Sequence, residues 1–222
     1  MNQRKTSERI RPVLFNTEMV KALLEGRKTV TRRVVKPQPE KSETNPHRLT
    51  SGCYYFDVPS KRFPGDLDRI VGPYWPPYQP GDILWVRESW QFIPCIDCRL
   101  YVHGGCVDTP VTYEDKDSIG EGCFVYRADY PEPQRVYWKP SIHMPREAAR
   151  IFLRVKGVEV ERLQDIDDAG VTAEGLEIGC YFDELWDSTI KPKDRAAYGW
   201  GANPWVWVIQ FERREKPSGF GE

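Results

Sequence analysis

Residues 26–33, GRKTVTRR, bring a lysine, three arginines and two threonine hydroxyls into one short run. Three kinds of chemistry fit those residue types. The guanidinium of Arg33 is a planar fork that can take two oxygens of a phosphate. Alternatively, Arg27, Lys28, Arg32 and Arg33 complement the negative end of a preceding helix and are otherwise solvated. In the third, the Thr31 hydroxyl becomes a nucleophile once a neighbouring base takes its proton. Lys28 is such a base only if burial, or the cations Arg32 and Arg33, keep its amine neutral. A plain strand over 28–31 would set Lys28 and Thr31 on opposite faces, so this chemistry requires a turn or bulge.

Three other groups of residues carry chemistry. Arg87 and Glu88, inside WVRESW, read either as a buried pair or as a substrate-positioning pair. Ser141 and His143 lie between Pro140 and Pro145, which stiffen the loop; His143 titrates near neutral pH and reads as a ligand contact or a structural hydrogen-bond partner. The six cysteines include Cys95 and Cys98 in a CxxC knuckle, followed by His103, Cys106 and Cys123. Zinc takes four thiolate or imidazole ligands in a tetrahedron, so Cys95, Cys98, Cys106 and Cys123 are a candidate structural zinc set, with His103 as an alternative ligand. The competing reading is a set of reduced, buried thiols. Cys53 and Cys180 read as ordinary thiols.

The elements that must position these groups follow from periodicity and punctuation. Residues 13–26 read as a strand end and a short helix, with Thr17 as N-cap, Met19 and Leu23 on one face and Gly26 as the left-handed exit. Residues 37–80 read as a long, mostly irregular insertion, and 92–135 as a second insertion that holds most of the cysteines and ambiguous short strands such as GCFVYRAD. In the first, Tyr74 and Trp75 are the better candidates for an exposed contact, whereas Trp85, Trp205 and Trp207 read as core. PGD at 80–82 starts a strand over residues 83–90. A long strand places Ile151, Leu153 and Val155 on one face and resumes with Val158 and Val160 after a bulge at Gly157. A short helix closes at Gly175, FDELWDSTI spaces Phe182, Leu185, Trp186 and Ile190 along one helical face, and an alternating strand ends the series. Strands separated by short helices predict the α+β class, as a small, mostly antiparallel barrel with short flanking helices and large loop insertions.

Composition bounds the partners. Lys plus Arg number 32 and Asp plus Glu 33, so no whole-molecule field favours polyanions or membranes. The charge is nonetheless segregated. Residues 1–36 hold ten cations and three acids, and residues 157–188 hold ten acids with Arg162 alone, so the two segments are set to pair. No run of apolar residues has signal-peptide or membrane-span length, which predicts a soluble, cytoplasmic protein with no membrane partner and reduced cysteines.

The order of these pieces resembles the ASCH domain family: a helix ending in GRKT-x-T-x-R over residues 26–33, a PGD-initiated strand at residue 80, and a long strand leading to an acidic helix that closes in A-E-G at residues 173–175. The resemblance implies one domain over 11–215 with a PUA-like β-barrel fold, insertions at 37–80 and 92–135, and flexible tails at 1–10 and 216–222. WVRESW, WKPSIHMPR and ANPWVWVI are similar to the longer branch carried by phages and prophages and labelled morphogenetic protein. That implies a bacterial host cytoplasm. The family resemblance further implies a cleft for RNA or a modified nucleoside. In the branch that hydrolyses N4-acetylcytidine, the working Lys, Thr and Glu fall here on Lys28, Thr31 and Glu174, and the Arg that follows them falls on Arg33. Read from the residues themselves, Arg32, Arg33, Arg87, Glu88, Ser141 and His143 are the candidate substrate contacts. Glu174 has two candidate jobs, a proton shuttle to the leaving amine or a carboxylate that holds Lys28 and raises its pKa. Such a protein needs no organic cofactor. The alternatives are a non-catalytic RNA-binding or phage-associated adaptor, and a ribonuclease.

Overall fold

The computed structural model describes residues 8–40, 44–60, 62–63, 67–95, 110–114, 119–130, 137–177 and 181–221. The described strands form three sheets. The central one is mixed and five-stranded, in the order β1 (Ile10–Leu14), β6 (Ile83–Arg87), β10 (Phe152–Arg162), β11 (Trp205–Arg214), β2 (Val30–Val34). β1 runs parallel to β6, and the other three pairings are antiparallel.

This sheet is open, so the expected PUA-like barrel is corrected. β1 and β2 are its two edges, and no described strand closes them. The reason lies in where the β1 backbone spends its carbonyls. The Pro12 carbonyl accepts from the Tyr78 hydroxyl at 2.8 Å and the Leu14 carbonyl from Arg33 Nη2 at 2.7 Å. Pro12 itself offers no N–H. Side chains therefore satisfy the edge that a barrel would have paired with β2.

The insertion read as irregular is largely sheet. β3 (Thr44–Arg48), β4 (Tyr54–Pro59) and β5 (Leu67–Tyr74) form an antiparallel meander. Its aromatics pack on the central sheet: Tyr54 against Trp207 at 5.2 Å and Phe56 against Trp205 at 4.9 Å, with the Tyr54 hydroxyl on the Val158 carbonyl at 2.5 Å. The third sheet joins β7 (Trp90–Pro94), β9 (Ile119–Tyr126) and β8 (Val111–Glu114). The single strand expected over 83–90 therefore splits, β6 ending at Arg87 and β7 starting in another sheet at Trp90.

Period-two alternation sorts the core. Leu84 and Val86 of β6, Leu153 and Val155 of β10 and Trp205, Trp207, Ile209 and Phe211 of β11 share one cluster with Val20 and Leu23 of α1 (Thr17–Leu24). Ile83, Trp85 and Phe152 face the other way, with Trp90, Phe92 and Phe220. The segment after β11 thus carries a buried residue, since Phe220 stacks edge-on to Phe152 at 5.0 Å. Val206 joins a third cluster with Phe182 and Trp186 of the helix Phe182–Thr189. The bulge expected at Gly157 is present as a register shift between Val155 and Gly157.

Candidate functional site

The site begins at the end of α1. Asn16, rather than Thr17, caps this helix, its side chain accepting from the Met19 N–H at 2.8 Å. Gly26 takes φ 77°, the left-handed exit, and the N–H groups of Arg27 and Lys28 both donate to the Ala22 carbonyl. The chain then meets the end of α2 (Asp168–Ala173): Lys28 and Glu174 form an isolated antiparallel bridge, and the Thr29 N–H donates to the Ala173 carbonyl at 2.8 Å. Gly175 permits this approach. Its φ is 91°, and a Cβ there would lie 2.6 Å from Ala22 Cβ and 3.0 Å from Lys28 Cβ. β2 starts at Val30, and the Thr29 carbonyl still accepts from the Phe211 N–H, so the turn falls at Glu25–Gly26, before Lys28, and does not separate Lys28 from Thr31.

The side chains at this junction form a buried ionic network. Lys28 Nζ donates to Glu174 Oε2 at 2.5 Å and to the Glu174 carbonyl at 3.0 Å. Glu174 Oε1 accepts from the Arg32 N–H at 2.8 Å and faces Arg32 Nη1 at 3.4 Å, while Arg32 Nε donates to Glu161 at 2.7 Å. The basic and acidic segments of the sequence therefore do pair here. Burial lowers the pKa of Lys28 below its ordinary value; the Glu174 carboxylate opposes that shift, and Arg33 and Arg32 add to it. Of the two effects opposed in the sequence, desolvation is the larger.

Beside this network lies a cavity of about 310 Å³. Thr31, 2% exposed, and Glu174 lie on one wall, and Phe182, Leu185 and Trp186 of α3 (Phe182–Thr189) form an apolar wall. Arg27, Arg32 and Arg33 add positive charge. That is the size and make-up of a small-molecule pocket, mostly apolar with a few fixed polar groups. Lys28 does not line it; its amine sits behind Glu174, 5.5 Å from the Phe15 ring centroid.

The structure separates other residues that the sequence set together. Arg87 and Glu88 do not pair. Arg87 Nη2 donates to the Ile142 carbonyl, whereas Glu88 is buried and holds Arg150 through two hydrogen bonds of 2.9 and 3.0 Å. Burial raises the Glu88 pKa, against the pull of Arg150. Ser141 lines a neighbouring depression together with Asn16, Arg33 and Thr189, and His143 is exposed on the 3-10 turn Ser141–His143 and does not line the cavity. Cys95 follows β7, whose last residue Pro94 pairs with Gly122, next to Cys123. Cys98, His103 and Cys106 lie outside the described residues; among those described, no cluster of three or more Cys, His, Asp or Glu is arranged for a metal. No described helix is long and apolar enough to cross a membrane.

The residues that sequence reasoning missed are the cavity walls from α1 and α3. Phe182, Leu185 and Trp186 were legible as a helical face, but a face does not say whether it covers core or ligand. Set against family models, curated proteins and solved structures, the chain matches none of them.

Proposed function

We propose that the chain recognises a nucleoside in the cavity beside Glu174, and that Thr31, Lys28 and Glu174 hydrolyse the amide of an N4-acylated cytidine held there. The observation that carries this reading is the wall that sets the buried Thr31 hydroxyl next to a Glu174 fixed by Lys28 and Arg32, across from Phe182 and Trp186. The aromatic wall suits the face of a base. The motif order that resembles the ASCH family points to the same three residues.

In this mechanism Thr31 Oγ1 adds to the acyl carbon and its proton passes to the Lys28 amine. The acyl C–N bond breaks, the proton goes to the departing cytidine amine, and water releases the acyl group from Thr31 as a carboxylate. Burial favours the neutral lysine that the first step needs. Glu174 holds that lysine and draws it back toward the ammonium. Binding without turnover is the second reading, favoured by the turning of Lys28 Nζ toward Glu174 and away from the cavity wall. Cytidine release from N4-acetylcytidine, with Thr31→Ala as control, separates the two. Release that stops in the variant supports hydrolysis; saturable binding with no release supports the second reading.

A further inference from the structure

A second cavity, of about 410 Å³, fills the gap between the two open edges β1 and β2. Pro12 and Leu14 of β1 form one side, Arg33 and Val34 of β2 the other, and the Trp75–Tyr78 stretch that leaves the meander lies across it. Its lining holds three cations, Arg33, Lys36 and Arg87, and no carboxylate. None of the three has a carboxylate at ion-pair distance among the described residues. Arg87 Nε is buried without a hydrogen-bond partner, a donor left unsatisfied at some cost. Trp75, at the rim, is 57% exposed.

The two cavities are neighbours through one residue. Arg33 lines the first cavity, the second, and the depression between them that Leu14, Asn16 and Ser141 also line. A ligand that crosses from one to the other therefore passes the same guanidinium.

We propose that the second cavity is a subsite for the phosphate and flanking base of a short single strand whose acylated cytidine occupies the first cavity. This rests on the nucleoside reading of the first cavity and narrows its substrate from a free nucleoside to an oligonucleotide. Unpaired cations with no carboxylate among them suit a phosphodiester. An exposed tryptophan at the rim offers a stacking platform for the next base. The open sheet is what creates the subsite, since a paired β1–β2 ladder would leave no gap.

The test is equilibrium binding, by calorimetry with the Thr31→Ala variant so that no probe is turned over, of four probes: N4-acetylcytidine, its 5′-monophosphate, and a trinucleotide with either N4-acetylcytidine or an abasic residue in the middle. The expected order is trinucleotide tightest by about tenfold or more over the nucleoside, with roughly five- to a hundredfold of stacking lost in Trp75→Ala. Contact with the one phosphate of the subsite adds about −0.7 to the slope of log affinity on log salt for the trinucleotide, and Arg87→Ala reduces that increment. Equal affinity for nucleoside and trinucleotide overturns the subsite while leaving the nucleoside reading intact. A 5′-monophosphate that binds as tightly as the trinucleotide overturns the strand and leaves a phosphate pocket only. A trinucleotide that binds no better with its acetylcytidine than with an abasic residue overturns the nucleoside reading itself.

Discussion

Replacing Glu174 by Gln tests the ionic junction at its centre. The two carboxylate oxygens of Glu174 serve three donors: Lys28 Nζ on Oε2, and the N–H and Nη1 of Arg32 on Oε1. Glutamine keeps one acceptor oxygen and turns an NH₂ toward one of those donors. The Lys28 side chain has no solvent exposure and that of Glu174 only 7%, so water cannot take over the lost contact. Breaking a buried pair from one side costs about 3–5 kcal/mol, against about 5–15 kcal/mol of total stability. For a chain of this size that lowers the melting temperature by roughly 6–20 °C. The pH dependence follows from the sign of the lysine shift. The folded pKa lies below 10.5, and the carboxylate is what holds it up against burial, so Glu174→Gln drops it further. Between that lowered value and 10.5 the unfolded chain binds a proton that the folded one does not. Stability therefore rises with pH across this window, by at most about 1.4 kcal/mol per pH unit, and the variant's deficit narrows from pH 7 toward pH 10. Urea unfolding followed by tryptophan fluorescence at pH 7, 8, 9 and 10 reads both effects. A deficit under about 1 kcal/mol at pH 7, or one that does not change with pH, would refute the reasoning.

Two further substitutions probe the frame around the site. Gly175→Ala combines a left-handed backbone with a Cβ 2.6 Å from Ala22 Cβ, so urea unfolding should show a loss of about 2–5 kcal/mol; a loss under 1 kcal/mol would contradict the close approach. Glu88→Gln removes the buried carboxylate bound to Arg150, whose pKa is raised above 4.5. Between 4.5 and that raised value the folded protein binds a proton that the unfolded chain lacks, so this group's contribution to stability falls as pH rises. The urea midpoint of the wild type should therefore drop more from pH 5 to pH 7 than that of the variant, and parallel profiles would count against a buried, perturbed Glu88.

Local signals were the legible part of the sequence. The left-handed exits at Gly26 and Gly175, the bulge at Gly157 and the alternation of Trp205, Trp207, Ile209 and Phe211 are written in residue types with strong backbone or period-two preferences. Closure of the sheet was not. Whether β1 pairs β2 depends on Tyr78 and Arg33 reaching the carbonyls of Pro12 and Leu14, contacts between residues up to 66 apart that no window of sequence displays. The split between Arg87 and Glu88 is of the same kind, because each partner, Ile142 and Arg150, comes from a distant segment. Likewise Asn16 displaced Thr17 as the cap by a shift of one residue, the usual latitude of helix boundaries. Lys28, Thr31 and Glu174 entered through a resemblance of motif order, and the structure brings Lys28 against Glu174 and lines one cavity with Glu174 and Thr31.

The most direct measurement is chromatographic: purified protein incubated with N4-acetylcytidine, with Thr31→Ala alongside and circular dichroism on both. Thr31 is small and has no hydrogen-bonded partner in the Lys28–Glu174–Arg32 network, so its alanine variant should keep the fold. Cytidine and acetate from the wild type and neither from the variant is the expected outcome. Equal release from both proteins, or none from a folded wild type, contradicts it.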